Sequence, residues 1–274
     1  MAKITYTVED LIYVMRRLRD PLTGCPWDIM QDFASVVPHT LEEAYEVVDA
    51  IEQEDYLHLG EELGDLLFQV IFYSQLGDEK ELFNFHEVVD QQVSKIITRH
   101  PHVFPQGTIK SERLAHDVPE EAQIKENWEA IKQRDRNSRG ALGRLADVPH
   151  ALAALSRAQK LQKRASRHGF DWTEISGVIA KIDEERAELE QALKANDKQQ
   201  IEEELGDLIF ACVNLARHKG LDAEAMLRKS NRKFESRFAL MEEQANTEQV
   251  EFDDLSADQK NRLWELAKHR ERRS

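Results

Sequence analysis

Two cysteines, Cys25 and Cys212, are the whole thiol content of a 274-residue chain. So few exclude a disulfide scaffold and favour a reducing, cytosolic setting. Long apolar runs are missing too. No stretch comes near the roughly 18 apolar residues of a membrane span, and Glu9, Asp10, Arg16 and Arg17 interrupt the first turns, so neither a leader peptide nor a membrane partner is expected. Proline is absent after Pro149, which favours long uninterrupted helices in the second half. Positive charge is in deficit: 37 Lys and Arg against 52 Asp and Glu leave a formal charge of −15. That field repels nucleic-acid phosphates and anionic lipid, so polynucleotide binding is not expected. A small anionic substrate stays compatible, provided metal ions and local cations reverse the field at its site. Period-two alternation is the last absence. No segment reads as a strand, and the class is all-α.

What is there is a repeat. Adding 142 to Glu42, Glu43, Glu46, Glu62 and Asp65 gives Glu184, Glu185, Glu188, Glu204 and Asp207, and Glu62-Leu63-Gly64-Asp65-Leu66 recurs as Glu204-Leu205-Gly206-Asp207-Leu208. A solvated helix face has no reason to repeat five acids at one fixed offset. The length and the repeat together imply two domains in tandem, each a helical bundle. We place an N-terminal domain at 1–110, a linker at 111–147 and a C-terminal domain at 148–274. The linker carries a helix over 117–136, capped by Asp117 with Pro119 in its first turn, and the boundary falls in the polar stretch Arg136–Gly143.

Helical spacing predicts a first helix over 8–18, ended by Pro21, and then a turn-rich loop at Gly24–Asp28. Thr40-Leu41-Glu42-Glu43 reads as a capping box that starts a helix near Leu41, with Leu41, Ala44, Tyr45, Val48 and Ile51 as its core stripe. Further helices are expected at 57–76 and 85–99. The second half predicts 150–167, then the acidic helix with Ile175, Ile179, Ile182, Leu189 and Leu193 facing inward. Helices at 201–218 and 223–245 follow, with a last one capped by Ser256 and Gln259. Cys212 reads as a buried structural residue, and His100 and His102 as loop-shaping residues.

On a helix, Glu184 and Glu188 are i, i+4 neighbours and Glu185 and Glu188 are i, i+3, so their carboxylates converge. Glu204 and Asp207 do the same on the next helix. Antiparallel packing brings four or five carboxylates into one volume, where like charge forces protonation of some unless a cation removes the conflict. Ligands that are all oxygen select Mg²⁺ or Mn²⁺ over zinc or copper. Di-iron bundles add histidine to such glutamates, and no histidine matches here. Attack on a phosphate needs carboxylates and metal alone. Gly64 and Gly206, each inside a helix at a cost of about 1 kcal/mol relative to alanine, call for a close helix approach or room for a ligand.

The Glu-Glu-x-x-Glu and Glu-x-x-Asp spacing resembles the signature of MazG-type nucleoside triphosphate pyrophosphohydrolases. Gly24-Cys25-Pro26-Trp27-Asp28 with Gln31, Arg99–Phe104, Asn127-Trp128-Glu129 and Gly169-Phe170-Asp171-Trp172 extend the likeness over nearly the whole chain. The resemblance implies an all-α fold and cleavage of nucleoside triphosphates between the α and β phosphates, giving a monophosphate and pyrophosphate. It implies Mg²⁺ held by Glu185, Glu188, Glu204 and Asp207, with Glu184 a ligand or a water-orienting base. It also implies a homodimer in which helices of two chains complete each bundle. A module that binds Mg²⁺-nucleotide without turnover is the alternative.

The two copies differ in charge. Residues 208–237 hold Arg217, Lys219, Arg228, Lys229, Arg232, Lys233 and Arg237, whereas the matched 66–95 hold only Lys80 and Lys95. Departing pyrophosphate needs cations. The C-terminal copy is therefore expected to work, with Lys233 and Arg237 on the phosphates and Lys181 as a helper. Asn214 follows Asp207 by two helical turns, where the first copy has Phe72. Trp264 resembles a family tryptophan that contacts nucleotide, with packing on the last helix equally open. Trp27 and Trp172 read as packing residues. The N-terminal set (Glu42, Glu43, Glu46, Glu62, Asp65) is expected to be inactive or accessory.

Overall fold

A computed structural model describes residues 5–114 and 143–271 and, between these, residues 116, 120, 121, 124, 127, 128 and 131. Within the expected linking helix over 117–136, residues 121, 124, 127, 128 and 131 are helical, while Asp117, Pro119 and most of the boundary stretch 136–143 lie outside the described residues. The chain divides into two compact units, Met1–Gln133 and Arg134–Ser274. Among the described residues every regular element is helical.

The first unit contains α1 (Val8–Leu18), α2 (Pro26–Met30), α3 (Val37–Glu52), α4 (Tyr56–Glu79) and α5 (Phe85–Arg99). Capping boxes, Thr7 with Asp10 and Asn84 with Glu87, start α1 and α5 and satisfy the free N–H groups of their first turns. The loop expected at Gly24–Asp28 closes into the short helix α2, because Pro26 fits a first helical turn. Helix α3 starts a turn earlier than the Thr40 pattern suggests, for the same reason: Pro38 occupies its first turn. Thr40 is thus inside the helix. Its hydroxyl bonds the Val36 carbonyl at 3.1 Å and the Tyr73 hydroxyl at 2.9 Å. The core gathers Met15, Val36, Ile71, Phe72 and Leu76, with Leu11, Phe33 and Phe68 against them.

The second unit contains α6 (Ala154–Ser166), α7 (Ile175–Ala195), α8 (Lys198–His218), α9 (Ala223–Thr247) and α10 (Ala257–Glu271). Asn196, in the left-handed conformation that asparagine tolerates, ends α7, and Asp197 caps α8 through the N–H groups of Gln199 and Gln200. Helices α7 and α8 therefore form an antiparallel hairpin with almost no loop. Its counterpart is α3–α4, turned by Glu54 at φ 59° and capped by Asp55. Ser256 and Gln259 cap α10 as the sequence predicts.

Two sequence expectations about burial need correction. Leu41, Tyr45 and Ile51 are exposed, as are Ile179 and Leu193. Each acidic helix packs mainly on its hairpin mate, and one neighbour cannot cover a wide apolar arc; Ala50, Val178 and Ala192 carry the buried line instead. Cys212 is likewise exposed rather than buried. Phe72, at 2% exposure, is the largest fully buried side chain. Phe72→Ala should cost roughly 3–5 kcal/mol in urea unfolding, and a loss below about 1 kcal/mol would show that this ring does not hold the first core together.

Candidate functional site

Each hairpin brings three carboxylates together across its two helices. Oxygens of Glu43, Glu46 and Glu62 all lie within 4.8 Å of one another, and so do those of Glu185, Glu188 and Glu204. The spacing explains it: residues three apart share a helix face, and the tight turn sets the facing helix in register. Asp65 and Asp207 border the clusters closely enough to push up the carboxyls of Glu43 and Glu204 respectively. Glu42 and Glu184 lie outside the triplets, Glu42 beside His39 at 3.7 Å and Glu184 bonded to Lys181 at 2.8 Å.

The electrostatics are those of crowded like charges. Burial, then Glu188 and Glu185, raise the Glu204 carboxyl above the usual value. In the first unit burial, then Glu46, raises Glu62, and burial with Asp65 raises Glu43. The donor sets are all oxygen and suit a hard divalent cation. A basic side chain stands on the rim of each cluster: His58 meets Glu62 at 2.8 Å, and Lys181 meets Glu185 at 2.7 Å.

Beyond the carboxylates the copies diverge. In the second unit a cavity of about 490 Å³ opens between α6, α7 and α8, within the roughly 300–1,000 Å³ of small-molecule sites. Lys181, Glu185 and Asp207 line it together with the apolar Leu161, Phe170, Trp172 and Phe210, and with Gln162, Asn214 and Arg217. Trp172 lies flat enough on α7 that a Cβ at Gly177 would meet its ring at 2.4 Å. In the first unit Phe72 stands where Asn214 does and belongs to the core, and Gln69, at the place of Ala211, reaches Glu43 at 3.4 Å. The same backbone plan is filled in one copy and hollow in the other.

Not every expected residue reaches the cavity. Lys233 is exposed on α9, and Arg237 pairs with Glu271 at 2.6 Å and stacks over Trp264, 5.5 Å from its ring centre. None of Lys233, Arg237 and Trp264 lines the cavity. Trp264 packs on the core of Met241, Leu255 and Leu263. Gly64 and Gly206 have nothing within 4 Å of an added Cβ, so no close helix approach within the chain explains them.

Sequence reasoning missed a polar network that reaches from the surface to the buried Asn214. Asp171 accepts from Arg217 and, at 2.9 Å, bonds the His218 ring, while Arg217 Nε donates to Asn214 Oδ1 at 2.8 Å. Burial opposes ionisation of Asp171, but the bonds from Arg217 and His218 outweigh it and hold its carboxyl below the usual range. Gln162 was missed as well. A single polar side chain on an amphipathic helix carries no signal until its surroundings are known.

A model of the MazG nucleotide pyrophosphohydrolase domain matches residues 31–104 and again 174–239. The nucleoside triphosphate pyrophosphohydrolase of Escherichia coli (strain K12) is 42% identical over 266 residues, covering 96% of this chain and 98% of that protein. The nucleoside triphosphate pyrophosphohydrolase/pyrophosphatase MazG of Thermotoga maritima is 37% identical over 260 residues, 95% of each chain. Each matched segment contains one of the two carboxylate triplets, and the chain belongs to the MazG nucleotide pyrophosphohydrolase family, with the domain present twice.

Proposed function

We propose that the protein hydrolyses nucleoside triphosphates between the α and β phosphates, with Mg²⁺, at the second unit's carboxylate cluster, and so clears surplus triphosphates from the nucleotide pool. The observation that carries this reading is the cavity: it joins Glu185 and Asp207 to apolar walls and buried amides, where the first unit has the packed ring of Phe72. The named activity of the full-length relatives supports the reaction class.

Glu185, Glu188, Glu204 and Asp207 are the proposed ligands, a set whose crowded charge favours a divalent cation over protons. Mn²⁺ is a substitute of the same hardness. Bound there, the ion would polarise the phosphates and lower the pKa of the attacking water. Glu184, outside the triplet, is assigned to orient that water and take its proton as the oxygen attacks the α-phosphorus. The bond from the α-phosphorus to the bridging oxygen breaks, and pyrophosphate leaves. Lys181, held between Glu184 and Glu185, offers positive charge on the phosphate side. Phe170 and Trp172 supply flat apolar surface for the nucleoside.

A homodimer fits the exposed apolar lines of both hairpins, among them Leu41, Tyr45 and Leu63 in the first unit and Ile179, Leu205 and Ile209 in the second. It also offers a place for Lys233, Arg237 and Trp264, which would face the partner's carboxylates and meet the departing pyrophosphate. The first cluster is assigned an accessory role, with Gln69 and Phe72 occupying the space that a substrate needs. We keep 1–110, 111–147 and 148–274 as domain, linker and catalytic domain, and place the enzyme in the cytosol.

Pyrophosphate release from a panel of NTPs and dNTPs should require Mg²⁺, fall roughly 10²–10³-fold in Glu188→Ala, and stay near wild type in Glu46→Ala. Loss in Glu46→Ala with Glu188→Ala still active would reverse the assignment of the two copies. Stability should follow the carboxylates too. Glu43, Glu62 and Glu204 have raised values in the fold, so their protonated forms favour it. Metal-free protein should lose melting temperature as the pH rises above about 4.5, the ordinary value. At a hundredfold excess over its dissociation constant Mg²⁺ should restore about 2.7 kcal/mol near neutral pH. An identical melting curve with and without Mg²⁺ would remove the metal from the reading.

A further inference from the structure

Helices α6 and α8 face each other across the cavity, and each buries one carboxamide on that side, Gln162 at 8% exposure and Asn214 at 4%. A buried amide is costly unless its donor and acceptor both find partners. The protein alone does not satisfy Gln162. Gln162 Nε2 donates to the Phe210 carbonyl at 2.8 Å. A carbonyl only accepts, so the amide orientation is fixed by chemistry. Gln162 Oε1 is left buried with no hydrogen-bond partner among the described residues. Asn214 Oδ1 accepts from Arg217 Nε at 2.8 Å, and a guanidinium only donates, so the Asn214 amino group must point elsewhere. Arg217 is in turn anchored by Asp171, which His218 also holds.

We propose that Gln162 and Asn214 read the hydrogen-bonding edge of the nucleobase, Gln162 accepting from it and Asn214 donating to it, with Arg217 and Asp171 as positioning residues. This rests on the reading of the cavity as the nucleotide site. Three features carry it. The amides sit at the right remove from the carboxylates: Asn214 follows Asp207 by seven residues on one helix, about 10 Å at 1.5 Å per residue, roughly the reach from a nucleotide's α-phosphate across its sugar to the base. The walls between are aromatic, as a base face requires. The third feature is an internal control. In the first unit, at the same offset, Asn214 becomes Phe72 and Arg217 becomes Gln75, and α1 meets α4 through Met15, Ile71 and Phe72. The hairpin does not need the polar pair. An acceptor and a donor lining one cavity match a base edge, and a bare triphosphate has no donor for Gln162.

The test compares full-length wild type, Gln162→Met and Asp171→Asn on the four NTPs, the dNTPs and ribose 5-triphosphate, which lacks a base. Wild type should prefer some bases, and its kcat/KM for the best NTP over ribose 5-triphosphate should drop roughly 10–100-fold in Gln162→Met, chiefly through KM. The metal-free melting temperature of that variant should hold or rise, because it removes an unpaired buried acceptor; a merely structural Gln162 would lower it and leave the preference intact. Asp171→Asn should weaken the same preference without touching the Mg²⁺ requirement. Wild type that favours no base over ribose 5-triphosphate, or a Gln162→Met variant that keeps the wild-type ranking, would overturn the inference while leaving the pyrophosphohydrolase reading intact. A Gln162→Met variant that changes only the ribose-to-deoxyribose ratio would reassign the pair to the sugar, against the proposal. Wild type inactive on every triphosphate would sink the reading beneath it as well.

Discussion

Three carboxylates with oxygens within 4.8 Å of one another repel, and each hairpin has to hold them there by its packing, with one basic side chain on the rim. The protein manages this by spreading the conflict over two rigid helices. Residues three apart on α7 fix two of the charges, and the facing turn of α8 fixes the third. Burial first, and the neighbouring carboxylates after it, raise the carboxyls of Glu43, Glu62 and Glu204. A divalent cation held there would turn that burden into affinity. The basic side chains on the rims of the clusters follow from this arrangement.

Duplication lets the molecule be compared with itself. Both units keep the triplet and the near-loopless hairpin, so those features belong to the shared plan. They part at the next layer along α4 and α8. Phe72 closes the first unit with a packed ring, and the smaller Asn214 and Ala211 leave the second hollow, with the amides of Asn214 and Gln162 on an otherwise largely apolar lining. A fold that leaves the buried Gln162 acceptor unpaired in one copy and packs a phenyl ring in the other is not satisfying a packing need with that amide.

Much of this was legible in the chain. The fixed offset of five acids gave the two-unit plan and the convergent glutamates, and helical spacing placed α5 and the start of α9 to the residue. Where Pro38 competed with Thr40 for the start of α3, the rigid ring won and the apparent capping box was an internal turn. Apolar stripes overstated burial at Leu41, Ile51 and Ile179, since periodicity reports which face is apolar and not what covers it. The cationic run after Asp207 suggested a phosphate cradle, yet Arg217 is taken by Asp171 and Asn214, and Arg237 by Glu271 and Trp264. Partners that lie 34 or 46 residues away in the chain leave no local trace.

The joint between α7 and α8 is two residues long, Asn196 and Asp197. An α-helix advances about 100° per residue, so this joint acts as a phase setter for everything downstream. One inserted residue would rotate α8 by more than a quarter turn relative to α7 and carry Glu204 off the face that Glu185 and Glu188 share. The first unit holds the left-handed position with Glu54 in place of Asn196 and keeps the capping aspartate, so one side chain of the joint has been exchanged while the count of residues has not. The spacing between the two halves of the acidic motif is thus a mechanical tolerance of the hairpin, written into the chain as a count of residues.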